Sequence, residues 1–506
     1  MKYLLSLDVG TTSIKAGLFD ETGRCLATAL EEYQLITPAA DRVELDAQVY
    51  WRASKETIRR VISKAAINGH EIAVTTVSSQ GETLIMLNED GQPVGNAIVW
   101  MDNRAVEQAR TLAATLGADI YDVTGIPEVV PTWPACKILW IKQNEPERYS
   151  QITHFLLVQD YLIYLLTGNM VTDGSISCTT LLYDIVQHDW WQKALNAIGI
   201  QADHLPRIQS PGSIAGKLSS HVAAELGLSE NLIVVCGGMD QCAGAIGAGN
   251  IEEGVVSETT GAALTIQVTI RAPLIDPARS MPVYVHSVPG RYLFVPVCPT
   301  AGMAFKWLKD NFIVDLDAPE TAGRVDLYEI MNQMSESVPE GCDGLIMLPH
   351  LMGAYSPVSN PSARGSFTGF TLLHKKAHFV RAVQEAVAYM LRQNIDVIGR
   401  AGVAINEIRT SGGAARSSIW NQIKADVCGL PIIRLENEDT GLVGDAILGG
   451  VAAEVFKSID EGVRIMVHRS GQVNPGESRK AYNGYYQRYV DLDATLKDYF
   501  IRNYSN

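Results

Sequence analysis

The opening residues alternate. An apolar run from Tyr3 to Leu7 meets a Gly/Thr turn, then Ile14, Ala16 and Leu18 are spaced by polar neighbours up to a second turn at Glu21-Thr22-Gly23. A period of two predicts strands, so residues 3 to 32 read as a β-meander. The period then lengthens: Trp51, Ile58, Ile62 and Ala65 share one helical face, with Asp46 placed to cap the helix and Gly69 to end it. Ile72 to Val77 predicts the next strand. Strands alternating with helices predict a sheet with helices layered on it.

The pattern starts afresh at Gly254, where VVSETTGAALTIQV carries β-branched runs broken by a Thr-Thr-Gly turn. It echoes the opening DVGTTSIKAGLF, as an internal duplication would. Further on come a strand at Gly344 to Leu348 and a long helix with Phe379, Val383, Ala386 and Met390 on one face. Ile405 to Arg409 then leads through Ser411-Gly412-Gly413-Ala414 into a helix stepping Ile419, Ile423 and Val427. The expected fold class is α/β, in two lobes with a border near residue 250, that is 1–249 and 250–506. Tyr482, Tyr485, Tyr486 and Tyr489 have helical spacing and are read as packing residues.

A chain of 506 residues exceeds one hydrophobic core, in keeping with two lobes. The formal charge of −15 gives no electrostatic footprint for nucleic acid or an anionic membrane. It does not speak against a phosphate ligand, because backbone N–H groups and Mg²⁺ neutralise phosphate locally. The eight cysteines are scattered without a C-x-x-C pair and read as reduced core thiols rather than zinc ligands. His70, His188, His350, His374 and His378 show no metal-ligand spacing. The first apolar run is too short for a signal peptide and no apolar segment is long enough to span a bilayer, so a cytoplasmic location is expected.

Four short motifs carry chemistry. Asp8-Val9-Gly10-Thr11-Thr12-Ser13 lies where the first strand turns into the second: its N–H groups and hydroxyls suit a phosphate, and Asp8 suits Mg²⁺ through water. The plainer reading is a polar hairpin. Gly237-Gly238-Met239-Asp240-Gln241 follows a strand-like run and precedes small residues, Cys242 to Gly249, that let a helix pack close beneath. A carboxylate there suits a general base in phosphoryl transfer, or simply a helix cap. Thr259-Thr260-Gly261-Ala262 and Ser411-Gly412-Gly413-Ala414 offer backbone N–H groups to a nucleotide, although Gly-rich turns are common. Neither a Walker motif nor G-x-G-x-x-G competes with them.

With those motifs in that order, the chain resembles the FGGY carbohydrate kinases, the family of xylulokinases, gluconokinases and glycerol kinases. The resemblance covers nearly the whole chain and includes Ile98 to Arg104, Lys137-Ile138-Leu139-Trp140, Asp160-Tyr161-Leu162 ahead of Leu166-Thr167-Gly168, Gly302, Trp307, Ala363-Arg364-Gly365 with Gly369, and the helix bearing Glu385. It implies two ribonuclease-H-like lobes, related to actin and hexokinase, closing on ATP and a sugar. By position it implies that Asp240 is the catalytic base and Asp8 the acid on the Mg²⁺ side. Gly10, Thr11, Thr12, Ser13, Thr260, Gly261, Gly302, Gly412, Gly413, Ala414 and Ser417 fall on the nucleotide side. Gln80, Gly81, Glu82, Trp100, Asp102, Asp240 and Gln241 fall around the sugar. A homodimer is the family's implied assembly.

The chain departs from two subfamilies at one place. Xylulokinases usually carry Met-His, and glycerol kinases Arg-Glu, where this chain has Gly81-Glu82. Gly81 in place of Arg removes a cation and a long side chain, which predicts room for a substrate larger than glycerol, a ketopentose such as xylulose. The alternatives are a glycerol or tetritol kinase, and an actin-like ATP-binding switch that keeps the cleft without the chemistry.

Overall fold

The computed structural model describes residues 2–273, 279–313 and 326–504. The opening meander forms as the period-two pattern predicts: β1 (Tyr3–Val9), β2 (Ser13–Phe19) and β3 (Cys25–Glu32) pair antiparallel in turn. Helix α1 (Gln48–Ala65) follows and carries the chain to β4 (Ile72–Ser79), parallel to β1. It stops at Ala66, which is left-handed at φ 53°, and not at Gly69, which opens the next short turn. After an extended insertion holding α2 (Val158–Thr167), strands β5 (Ile214–Lys217) and β6 (Ile233–Met239) complete the first sheet, order β5-β6-β4-β1-β2-β3. Helix α3 (Asp240–Gly247) leaves the end of β6.

The second sheet repeats the plan. Its central strand β7 (Val255–Thr260) pairs antiparallel with β8 (Leu264–Ile270), as β1 pairs with β2. On its other side β7 pairs parallel with β9 (Glu407–Ser411), which follows the long helix α4 (Lys376–Arg400). Helix α5 (Ser418–Cys428) then leads to β10 (Ile432–Leu435), parallel to β9. The sequence echo between the two Gly/Thr hairpins is thus matched by the same strand pairing in each sheet.

One helix crosses between the sheets. α6 (Thr440–Ala452) comes after the second sheet's β10 but packs on β1, β4 and β6 of the first and against α3. The small residues after Asp240 make this possible. A Cβ on Gly247 would stand 1.8 Å from the Thr440 carbonyl oxygen and one on Gly444 1.9 Å from that of Ala243, so the two helix backbones touch.

The last helix, α7 (Arg479–Tyr504), docks on α4 with Tyr482 and Tyr489 buried. Tyr482 also works as a polar tie, donating to Glu385 Oε1 at 2.9 Å beside Arg381. All eight cysteines are free thiols; Cys25 is exposed, against the core placement expected for it, because its short strand end lies on the sheet edge. Among the described residues no helix is long and apolar enough to cross a membrane.

Candidate active site

Three parallel strands end side by side. Asp8 on β1 stands opposite Ser78 on β4, and Ser78 opposite Gly238 on β6. Strands spaced about 4.8 Å apart put Asp8 and the peptide ahead of Asp240 about 10 Å from each other across that edge. Ligands of parallel sheets bind outside such carboxyl ends. Asp240 begins α3, and its Oδ1 accepts the Gln241 N–H at 2.7 Å. Burial pushes its carboxyl well above the usual range, and the charges of Asp8 and Glu82 push it the same way against that N–H. Asp8 is pushed up to about 6, by burial first, with Lys15 pulling down and Asp439 pushing up. Lys15 in turn holds Asp439 at 2.5 Å, a bond from β2 to the N-cap of α6.

The turn after Asp8 is closed by Gly10 N–H to Ser13 O at 2.9 Å, and the Tyr33 hydroxyl donates to Gly10 O. Thr11 Oγ1 accepts the Trp100 indole N–H at 2.8 Å, so this turn and the exposed Trp100 are held together. Thr12 is exposed and Ser13 half-buried, both on the same turn.

Gln80 continues β4 by donating its N–H to Val9 O, and its side-chain amide donates to the Tyr50 hydroxyl at 3.0 Å. Its Oε1 is buried without a partner, as is that of Gln241. Glu82 has a left-handed backbone at φ 54°, held from both sides: its N–H donates to Thr179 Oγ1 at 3.2 Å and its carbonyl accepts from Lys137 Nζ at 2.8 Å. A non-glycine residue keeps that conformation only where its surroundings impose it. Burial raises the Glu82 carboxyl and depresses the Lys137 ammonium, each opposed by the other's charge.

Two expectations about this wall are corrected. Gly81 leaves no open space: a Cβ there would meet Thr179 Cγ2 at 2.6 Å, so Thr179 already fills the volume. Asp102 is not available to a sugar. It is fully buried, with Oδ1 accepting from the Arg104 N–H and Nε and Oδ2 from Arg104 Nη2 and the Val43 N–H, which saturates both oxygens.

The second sheet brings its glycine turns together. Gly302 N–H donates to Gly261 O at 2.9 Å, and a Cβ on Gly302 would lie 2.3 Å from that oxygen. Gly412, at φ 80°, lies against Thr259 and the Thr260 carbonyl, and Gly413 and the buried Ala414 follow in the next short turn. Thr259 and Ser411 hydroxyls are 2.7 Å apart. Ser417 does not join this surface. Its hydroxyl donates to Asn332 Oδ1 at 2.8 Å and accepts the Trp420 N–H, so it caps α5 and has no donor left for a phosphate.

Sequence reasoning missed what lies underneath. Lys424 on α5 and Glu258 on β7 form a fully buried ion pair at 2.6 Å. Lys424 also donates to Thr260 Oγ1 at 2.9 Å, Thr260 to Glu258 Oε2 at 2.7 Å, and the Thr410 hydroxyl to Glu258. The pair therefore clamps the Thr260-Gly261 turn to the strand that carries Ser411 and Gly412. Asp445 on α6 was also missed. It accepts from Ser78 Oγ at 2.8 Å, leaves Oδ1 unpartnered, and sits 2.6 Å from where a Gly237 Cβ would be. An Asp inside the apolar run Leu442 to Leu448 was the signal available for it.

These strand ends, acids and paired glycine turns have known counterparts. The description "FGGY family of carbohydrate kinases, N-terminal domain" matches residues 3–247, and the C-terminal domain of the same family matches 257–453. A xylulose kinase of Staphylococcus epidermidis is 30% identical over 98% of this chain and 97% of its own length. The chain belongs to the FGGY family of carbohydrate kinases. A gluconokinase of Bacillus subtilis is 28% identical over 99% of this chain and 97% of its own. The crystal structure of a ligand-bound xylulose kinase from Lactobacillus acidophilus superposes with a TM-score of 0.90 at 26% identity, covering 98% of both chains. This FGGY protein is therefore a sugar kinase with the two-lobed fold shared with actin and hexokinase, and ATP is its phosphate donor.

Proposed function

We propose that this kinase transfers the γ-phosphoryl group of ATP to a hydroxyl of a ketopentose of the xylulose type, with Asp240 accepting the hydroxyl proton. The observation that carries the reading is the position of Asp240: it starts a helix at the end of β6, two residues past the Gly238 that stands in register with Asp8, with Asp8 and Glu82 as its charged neighbours. A carboxyl raised by burial and by neighbouring acids has a proton affinity closer to that of a general base working near neutrality.

The sugar side is acidic. Glu82 and Asp240 offer acceptors to hydroxyl donors, while the nearest ammonium, Lys137, is fully buried and donates to the carbonyls of Glu82 and Val99. Such a wall suits a neutral polyol and repels an anion such as gluconate, so the xylulose kinase relatives are the better guide to substrate than the gluconokinases. Thr179 against Gly81 limits the pocket's depth there, so the substrate's size is set by Thr179 and not by an empty arginine site.

The donor set suits Mg²⁺. The charge of Asp8 raises the proton affinity of Asp240, which a cation would relieve, and among the described residues no group of three His, Cys, Asp or Glu forms a dedicated cage. That matches an ion held by one or two carboxylates, water and the nucleotide's own phosphates, where it supplies charge neutralisation. Asp8 is the residue assigned to it, through water. On the other wall, the Gly412-Gly413 turn is assigned to ATP through its N–H groups, and the Thr260-Gly261 turn lines it with the Gly261 N–H already donated to Ala263 O at 3.0 Å. A coupled ADP-release assay over D-xylulose, L-xylulose, D- and L-ribulose, erythritol, erythrulose, gluconate and glycerol tests the reading. A single strong ketopentose is the expected result; turnover confined to gluconate or glycerol would overturn it.

A further inference from the structure

A second set of buried groups converges on the two peptides just ahead of Asp240. The Gly238 N–H donates to Gln159 Oε1 at 2.5 Å, and the Met239 N–H donates to Ser175 Oγ at 3.1 Å. Neither acceptor is free to turn. Gln159 Nε2 donates to Asp173 Oδ2 at 2.9 Å, which fixes its amide so that the oxygen faces Gly238. Ser175 Oγ donates to Asp173 Oδ1 at 2.5 Å and its backbone N–H to the same oxygen at 2.8 Å, which leaves the hydroxyl's lone pairs to the Met239 N–H and to the Ser287 hydroxyl, which donates at 3.3 Å. Asp173, Gln159 and Ser175 are all 0% exposed. A Cβ on Gly238 would stand 2.2 Å from Ser175 Oγ and 3.4 Å from Asp173 Oδ1, and its φ of 91° belongs to glycine, so the backbone is pressed onto this group.

We propose that Asp173 is a positioning residue for the phosphoryl transfer: through Gln159 and Ser175 it sets the direction of two backbone N–H groups and so the pose of Asp240. The proposal rests on the reading of Asp240 as the base. The donor and acceptor roles run one way, from backbone N–H through amide and hydroxyl to one carboxylate, because a carboxylate only accepts. Asp173→Asn breaks this direction at a single atom. Its new amide nitrogen faces the Gln159 amide nitrogen, and if Gln159 turns over to meet it, a nitrogen is aimed at the Gly238 N–H.

The same logic names a rescue. In the double variant Asp173→Asn with Gln159→Glu, the carboxylate introduced at position 159 accepts from both the amide introduced at position 173 and the Gly238 N–H, and the total charge is unchanged. D173N should lower kcat per ATP-binding site by about 10- to 100-fold with both KM values within about twofold, a displacement effect on a group far from the reacting atoms. D173N/Q159E should recover at least about fivefold of that loss. A D173N kcat within about twofold of the parent, or a double variant no faster than D173N, overturns the proposal. If D173N fails to fold, Ser175→Ala removes one hydroxyl only and should cost about 5- to 10-fold in kcat; an unchanged kcat there overturns it equally. D240N, assayed alongside, separates the two claims. If it keeps near-normal turnover, the base reading falls and this proposal with it; if it loses turnover while D173N and S175A do not, only this proposal falls.

Discussion

The two walls of the cleft are built in opposite ways. The first-sheet wall carries its charge at the strand ends, only half-buried: the carboxyls of Asp8, Glu82 and Asp240 are raised first by burial, that of Asp240 further by Asp8 and Glu82 and that of Asp8 by Asp439. The second-sheet wall puts its charge inside. Lys424 and Glu258 are fully buried and paired, and what faces outward is backbone at Thr260-Gly261 and Gly412-Gly413. Under the proposed function the difference follows from what each wall meets. Carboxylates that act on a hydroxyl gain from an environment that raises their proton affinity. Turns that meet phosphate need N–H groups held in place without added negative charge at the surface.

The largest effect should come from the charged wall. Asp240→Asn should lower turnover by about 10²- to 10⁴-fold in the ADP-release assay, the size of a general-base contribution; a near-normal rate would remove Asp240 from the chemistry. On the other wall, Lys424→Met leaves Glu258 buried and unpaired and should cost about 3–5 kcal/mol in urea unfolding, with KM for ATP rising more than KM for sugar. The double variant K424M/E258Q should regain most of that stability. If K424M raises the sugar KM instead, the clamp serves the wrong wall.

Smaller effects sharpen the contrast. Gly81→Ala pushes on Thr179 and through it on Glu82, so KM for sugar should rise about 5- to 10-fold with KM for ATP unchanged, and adding Thr179→Ala should reverse it. Asp8 has a folded pKa of about 6 against an ordinary 3.8, so charging it costs the folded state stability as pH rises from 3.8 to 6. Asp8→Asn should therefore stabilise the ligand-free protein by about 1–3 kcal/mol above pH 6, and the gain should vanish below pH 4. A gain equal at both pH values would show that Asp8 is not charged at cost.

Much of this was legible in the chain because it is local. The two Gly/Thr hairpins, the glycines before Asp240 and the small residues after it are each written in a few consecutive positions, and strand and turn chemistry follow from them. The misreadings share one cause, a side-chain contact that residue order does not display. Ser417 looked free because Asn332 was out of sight, Gly81 looked empty because Thr179 was, and Asp102 was assigned to the sugar because the Val43 N–H and the inward turn of Arg104 are tertiary facts. The Lys424–Glu258 clamp joins residues 166 positions apart, and nothing in either residue's local sequence names the other. Asp445 reached the first sheet only because α6 crosses to it, a step that a two-part division of the chain does not foresee.

The separation of the two walls is the central claim, and calorimetric titration of D240N with ATP in the presence of Mg²⁺ tests it most directly. An affinity within about threefold of the parent, in a variant that has lost its turnover, is the predicted result. A loss of ATP affinity of tenfold or more would mean that Asp240 helps hold the nucleotide and that the walls do not divide the work.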